Sequence, residues 1–232
     1  MTEPVFPLEA LTILENCYPR QTDKLPHNLL DHPLLQLGAL IDLATTLPQD
    51  SVEYNPGNLP VGIRPEDVPA PELSVADTIR SIEENGSWMV LKRIEQHPEY
   101  AALLKNTLAE IEPLVAQRTG KMLGLEGFIF ISSPGSVTPF HFDPEHNILL
   151  QVRGQKTMTV FSAEDETLVR PEAHEKFHLG QHHRNQHLED AFAAKGRPIT
   201  IVPGEAIYVP VKAPHWVQNG DAVSISLEAI LR

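Results

Sequence analysis

The stretch Thr138-Pro139-Phe140-His141-Phe142-Asp143 places an imidazole and a carboxylate two residues apart in a part of the chain that reads as β. Successive side chains on a strand alternate faces, so His141 and Asp143 share one face while Phe140 and Phe142 take the other. A third side chain of matching chemistry, His215, follows a second β run, Ala206-Ile207-Tyr208-Val209-Pro210, and is expected to open a turn before the final strand. Two histidines and one carboxylate form the donor set of non-haem Fe(II) oxygenases. They hold one side of the ion and leave the other side open for oxygen and a co-substrate.

A His-x-Asp pair is weak evidence alone in a chain with 11 histidines. The surrounding order strengthens it: an alternating strand before the pair, strand-turn-strand after it, and a tight turn at Pro203-Gly204 that returns a strand towards the first two ligands. His146 is an alternative ligand, but a strand puts positions 141 and 146 on opposite faces, so it is expected outside the ligand set. His174, His178, His182, His183 and His187 match no zinc pattern with cysteine partners. They are read as a polar, partly exposed loop over the barrel mouth, where His183 and Arg184 can meet substrate.

The elements that must position these groups fall into two halves. Residues 1–30, with Pro4, Pro7, Pro19 and Pro26, read as an irregular lead-in with one short strand. A helix is expected from Asp31 or His32 to near Pro48, with Leu34, Leu35, Leu37, Leu40, Ile41 and Leu43 on its apolar face. Residues 51–73 carry five prolines and two glycines and read as a loop, in which Tyr54, Asn55 and Asn58 are candidate substrate contacts. A short helix over 74–85 ends at Gly86. A buried strand follows at Trp88-Met89-Val90-Leu91, with Trp88 in the core. A long helix opens at His97-Pro98, and Pro113 is expected to kink or divide it. From Leu125 onward short strands follow one another, which indicates a sandwich or jelly roll.

Composition excludes several functions. Lys plus Arg number 18 against 31 Asp plus Glu, a net charge of -13, which opposes docking on nucleic acid or on an anionic membrane. A basic peptide or protein substrate remains compatible. Cys17 is the single cysteine, no run approaches a membrane span, and the first twenty residues lack a secretory pattern, so the cytoplasm is the expected location.

Taken together, Thr138-Pro-Phe-His141-Phe-Asp143, Asn147, Gln151-Val-Arg-Gly154-Gln-Lys156, Pro203-Gly-Glu-Ala-Ile-Tyr-Val-Pro210 and His215 with Asn219-Gly220 resemble the Jumonji C and cupin-like 2-oxoglutarate oxygenases. Small bacterial members and the asparaginyl hydroxylase of hypoxia-inducible factor are the nearest in pattern. The resemblance implies a mainly β fold with α elements: a double-stranded β-helix (jelly-roll, cupin-like) core over 122–232, with a helical N-terminal half over 1–121 packed on it as one compact unit. It implies iron on His141, Asp143 and His215, with O2 and 2-oxoglutarate as co-substrates. Lys156 and the Thr138 hydroxyl would bind the distal carboxylate, and Asn147 would lie beside the co-substrate. In the last strand Val223, Ile225 and Leu227 alternate with Ser224, Ser226 and Glu228, so Ser226 and Glu228 join the co-substrate candidates. Glu228 falls about where the asparaginyl hydroxylase has an asparagine, and its charge would oppose an anionic co-substrate unless paired.

The expected activity is hydroxylation of a protein or peptide side chain or of a small molecule. Two alternatives keep the three ligands: a cupin-type metalloenzyme that does not use 2-oxoglutarate, and a non-catalytic metal-binding regulatory module.

Overall fold

A computed structural model describes residues 3–56, 73–180 and 188–231. Eleven strands in this region form two antiparallel sheets. The strands are β1 (Asp23–Pro26), β2 (Val52–Pro56), β3 (Ser87–Lys92), β4 (Gly127–Ser132), β5 (Val137–His141), β6 (His146–Arg153), β7 (Lys156–Val160), β8 (Arg197–Ile201), β9 (Glu205–Val209), β10 (His215–Asn219) and β11 (Ser224–Leu231). The larger sheet runs β1-β9-β6-β11-β4-β3-β2, and the smaller runs β5-β10-β7-β8. Leu149 and Ile207 of the large sheet cluster with Met158, Val160, Ile201 and Val217 of the small one, so the sheets face each other across a shared interior. This is the expected jelly-roll arrangement.

The outer face of the large sheet is covered by helices. Alternate residues Ile129, Ile131, Ile148, Leu150, Ala206, Tyr208, Ile225 and Leu227 form one core with the helical residues. Because β11 is covered on both sides, all eight of its residues are buried. Ile225, Leu227, Ala229 and Leu231 join the helical core, while Ser224, Ser226, Glu228 and Ile230 turn to the interior.

Three helices depart from the reading made on sequence. The lead-in contains α1 (Leu8–Cys17), whose buried Ala10, Leu14 and Cys17 repeat at helical spacing. Pro7 is its N-cap and Pro19 lies beyond its end, so the prolines bracket the helix without breaking it. The helix expected from residue 31 is a 3-10 turn (Pro33–Leu35), capped by His32, followed by α2 (Leu37–Thr46). After α3 (Val75–Arg80), with Ser74 as its cap, α4 (Pro98–Thr119) continues through Pro113 as one 22-residue helix, so Pro113 does not divide it. Proline forfeits one amide bond, but Leu108, Ile111 and Val115 stay buried against the core on either side of it. Glu110 on α4 also accepts the Val5 and Phe6 amides, at 2.9 and 2.8 Å, which ties the lead-in to the helix layer.

The 51–73 reading as loop is corrected at its start, where β2 forms an edge strand on β3. An edge tolerates the missing amide of Pro56. The side chains of Tyr54 and Asn55, and Asn58 as a whole, lie outside the described residues. The insert between β7 and β8, expected as a loop, includes α5 (Pro171–His178) and a 3-10 turn (Asp190–Lys195). His182, His183, Arg184 and His187 lie outside the described residues. Among those described, no helix is long and apolar enough to cross a membrane.

The turn from β6 to β7 depends on Gly154, whose φ is +65° and where an added Cβ would overlap the Val223 carbonyl oxygen. Gly154→Ala combines a left-handed backbone cost with a clash against main chain that cannot swing away, so it should destabilise the protein by about 2–4 kcal/mol. Urea unfolding midpoints measure this; a loss below about 0.5 kcal/mol would show that the turn is adaptable.

Candidate metal centre

His141 is the last residue of β5 and His215 the first of β10, and the two stand opposite each other in the antiparallel register. His215 therefore begins a strand; the expectation that it opens a turn is corrected. Asp143 lies just past β5, held in place where its carbonyl accepts the Lys212 amide at 2.8 Å. The alternation read from sequence persists beyond the strand end: Phe140 and Phe142 pack together with Phe161 and Val169 in a separate cluster, while His141 and Asp143 converge.

One ligand atom from each of His141, Asp143 and His215 lies within 4.8 Å of the others, and all three residues are buried. His141 Nε2 is 3.8 Å from Asp143 Oδ1, and His215 Nε2 is 3.5 Å from Asp143 Oδ2. The opposite nitrogen of each ring is already committed. His141 Nδ1 lies 2.7 Å from the Pro139 carbonyl, and His215 Nδ1 lies 2.9 Å from the Ala213 carbonyl. A carbonyl only accepts, so each Nδ1 carries the hydrogen and Nε2 is the ring atom that can ligate an ion beside the carboxylate. Asn147 donates to Asp143 Oδ2 at 3.1 Å, and its own buried Oδ1 finds no partner among the described residues. The donor set fits a divalent ion held on one side.

Strict alternation would put Thr138 with Phe140, facing away from His141. The structure decides otherwise. The β5–β10 register shifts between His215 and Val217, with His215 opposite His141 and Val217 opposite Thr138, so β5 holds an extra residue in a bulge at Pro139 and Phe140. Proline is tolerated there because β5 is an edge strand. The bulge brings half-buried Thr138 onto the inward face, beside Val217.

Lys156 starts β7 and is 4% exposed. Its ammonium donates to Ser226 Oγ at 2.8 Å and sits 5.7 Å from the Phe130 ring centroid. Burial pushes its pKa down to about 8, while the charge of Glu228 pulls it upward. Ser226 and Glu228 both face inward from β11, opposite Phe130 and Phe128 of β4. A buried ammonium that donates to a hydroxyl suits an incoming carboxylate.

His146 stays out of the ligand set, as expected. Its Nδ1 accepts the Val211 amide at 3.1 Å and lies 2.7 Å from the Tyr208 hydroxyl, and burial lowers its pKa. It braces β6 against the segment after β9. His174 packs on Phe142 at 4.2 Å between ring centroids, and Phe177 of the same insert also meets Phe142. Trp88 is buried but stands apart from the helical core. It lies on the β3 face opposite to Met89 and Leu91, next to Ser132 in register, and its Nε1 has no partner among the described residues.

Three contributors had no role assigned from sequence, although Asn219 stands in the motif that carries the resemblance. Asn219, on the β10 face of His215 and opposite Lys156, anchors Ser136 through its amide; the missed strand β10 hid that spacing. The Pro139 and Ala213 carbonyls orient the imidazoles, and main-chain groups carry no side-chain signal to read.

Comparison with known proteins agrees with this architecture. Three X-ray or related structures of YcfD from Escherichia coli match across the chain. One has 17% identity and a TM-score of 0.64, covering 100% of this chain and 54% of that one. A second, described as a ribosomal oxygenase, has 15% identity and a TM-score of 0.63, covering 100% and 53%. The third, a complex with cobalt and 2-oxoglutarate, has 14% identity and a TM-score of 0.61, covering 99% and 53%. At such identities the likeness is one of fold, and the chain spans about half the length of these proteins. Residues 44–229, most of the chain, match the cupin-like domain family, and the chain belongs to that family.

Proposed function

We propose that the protein is an Fe(II)- and 2-oxoglutarate-dependent oxygenase that hydroxylates a C–H bond of a protein or peptide side chain or of a small molecule. The observation that carries this reading is the pairing of a buried His-Asp-His cluster with a buried ammonium, Lys156, on the neighbouring strand of the same sheet. A metal centre alone would need no such cation, and a buried ammonium held by the Ser226 hydroxyl near the Glu228 charge is a ready donor to a further carboxylate. The cobalt and 2-oxoglutarate complex of YcfD supports the same pairing of ligands, and its description as a ribosomal oxygenase supports a protein substrate.

In this reading His141, Asp143 and His215 hold the iron through two Nε2 atoms and one carboxylate oxygen. Asn147 steadies the carboxylate, and the Pro139 and Ala213 carbonyls keep both imidazoles in the ligating tautomer. Lys156 and Ser226 receive the distal carboxylate of 2-oxoglutarate, and Thr138 offers a further hydroxyl from the β5 bulge. Phe130, Leu149 and Val217 give the interior its dry walls, which strengthens each charged contact. When bound, iron and 2-oxoglutarate supply the oxidising chemistry through oxygen-dependent decarboxylation; the protein supplies placement and exclusion of water.

His141→Ala and Asp143→Ala should each abolish metal-dependent 2-oxoglutarate decarboxylation while leaving circular dichroism near that of the parent. Undiminished turnover in either would remove that residue from the metal centre.

Anaerobic addition of 2-oxoglutarate to the Fe(II)-loaded protein should raise the weak visible charge-transfer band of bidentate chelation. Lys156→Ala should weaken that binding at least ~30-fold, the cost of removing one member of a buried charge pair. Because its pKa lies near 8, Lys156 loses its proton as pH rises through that value, so affinity should fall above about pH 8. An affinity flat from pH 7 to 10 would mean that the ammonium does not hold the co-substrate.

A further inference from the structure

Glu228 brings a carboxylate to the buried inward face of β11. On β11 it shares the inward face with Ser226 and Ile230, and its register partners on the flanking strands are Phe128 and Leu149. It is 8% exposed. Residues two apart on a strand are separated by about 6.5 Å, and Ser226 holds the Lys156 ammonium by a direct hydrogen bond. Glu228 therefore acts on Lys156 across a short distance, favouring its charged form.

The charges near Glu228 can be named. Lys156 approaches from β7. The strands on either side, β4 and β6, place Phe128 and Leu149 beside Glu228. Further along the same face, Lys92 of β3 is paired with Glu53. His141, Asp143 and His215 face the interior from the small sheet. A dicarboxylate docking on Lys156 and Ser226 would thus add a second carboxylate to a space where one ammonium already has Glu228 as its neighbour. Two carboxylates in a dry site do not both stay ionised when one proton can serve them, because their repulsion is barely screened there.

Building on the co-substrate reading above, we propose that Glu228 and the distal carboxyl group of bound 2-oxoglutarate share one proton, so that filling the pocket draws a proton from solvent. Glu228 then sets how tightly the dicarboxylate binds near neutral pH. The proton comes from water or buffer and bridges two carboxyl oxygens; no bond to carbon changes. A carboxylate at this position makes the pocket selective for the state of the ligand as well as its shape. An oxo acid without a distal carboxylate, such as 2-oxopentanoate, binds without the proton.

The test is calorimetric titration of the Mn(II)-loaded protein with 2-oxoglutarate at pH 6, in two buffers of different ionisation enthalpy. The unsubstituted protein should take up close to one proton with 2-oxoglutarate and none with 2-oxopentanoate. Its association constant should fall about tenfold per pH unit between pH 6 and 7.5, as linkage to one proton requires. Glu228→Gln, which keeps the side chain's size, should take up no proton at pH 6 and bind at least ~10-fold more tightly at pH 7.5. Binding of 2-oxoglutarate to the unsubstituted protein without proton uptake overturns the inference and leaves the co-substrate reading standing. So does equal uptake by the Glu228→Gln protein. No binding by either protein with metal in place overturns the co-substrate reading, and this inference with it.

Discussion

The pairing of β10 between β5 and β7 is the constraint on which the site depends. On one side its register sets His215 opposite His141; on the other it sets Asn219 opposite Lys156. A slip of one residue would turn His215 and Asn219 to the outer face and present Trp216 and Gln218 in their place, because side chains on a strand alternate with period two. The register is held at both ends of the strand. The Phe161 amide bonds the Pro214 carbonyl at 2.8 Å near the start, and Asn219 with Gly220 is tied to Ser136, Gly135 and Gln155 at the end.

The second requirement is that the large sheet be covered. Its outer face supplies most of the apolar core, against α1, α2 and α4. That coverage frees the inner face from being uniformly apolar, and polar groups at Asn147, Gln151, Ser224, Ser226 and Glu228 are all buried there. Such groups are costly to bury without partners. Several find them within the protein, as Gln151 does with Ser224 and Lys156 with Ser226. Among the described residues, Asn147 Oδ1, Gln151 Oε1 and Asn219 Oδ1 find no partner. An interior with unspent hydrogen-bonding capacity near a ligand cluster is what separates a binding site from a packed core.

Much of this was legible in the residue order. The short strands from Gly127 onward, the turn at Pro203-Gly204 and the helix face from Tyr100 to Ile111 follow from local periodicity and turn chemistry, which need no distant partner. The exceptions have local reasons as well. Helix α1 was obscured because Pro7 and Pro19 look like breakers until their positions relative to the helix ends are known. The run of α4 through Pro113 was unreadable because burial of Ile111 and Val115 outweighs one lost amide bond. Strand β10 was hidden because His215-Trp216-Val217-Gln218-Asn219 alternates histidine, valine and asparagine on its inward face, where only valine is apolar.

The sequence by itself determined which side chains were available for chemistry, and that His141 and Asp143 share a face, because two-residue alternation is a property of any extended chain. It also determined that β11 carries an apolar face and a polar one. Only the tertiary structure decided that Thr138 joins them, since that takes a bulge at Pro139 and Phe140 whose existence depends on the register with β10. Only it decided that Lys156 and Ser226, 70 residues apart, meet at 2.8 Å within reach of Glu228. Distances of that kind are set by the closing of two sheets over a common interior, where each strand's position depends on all the others.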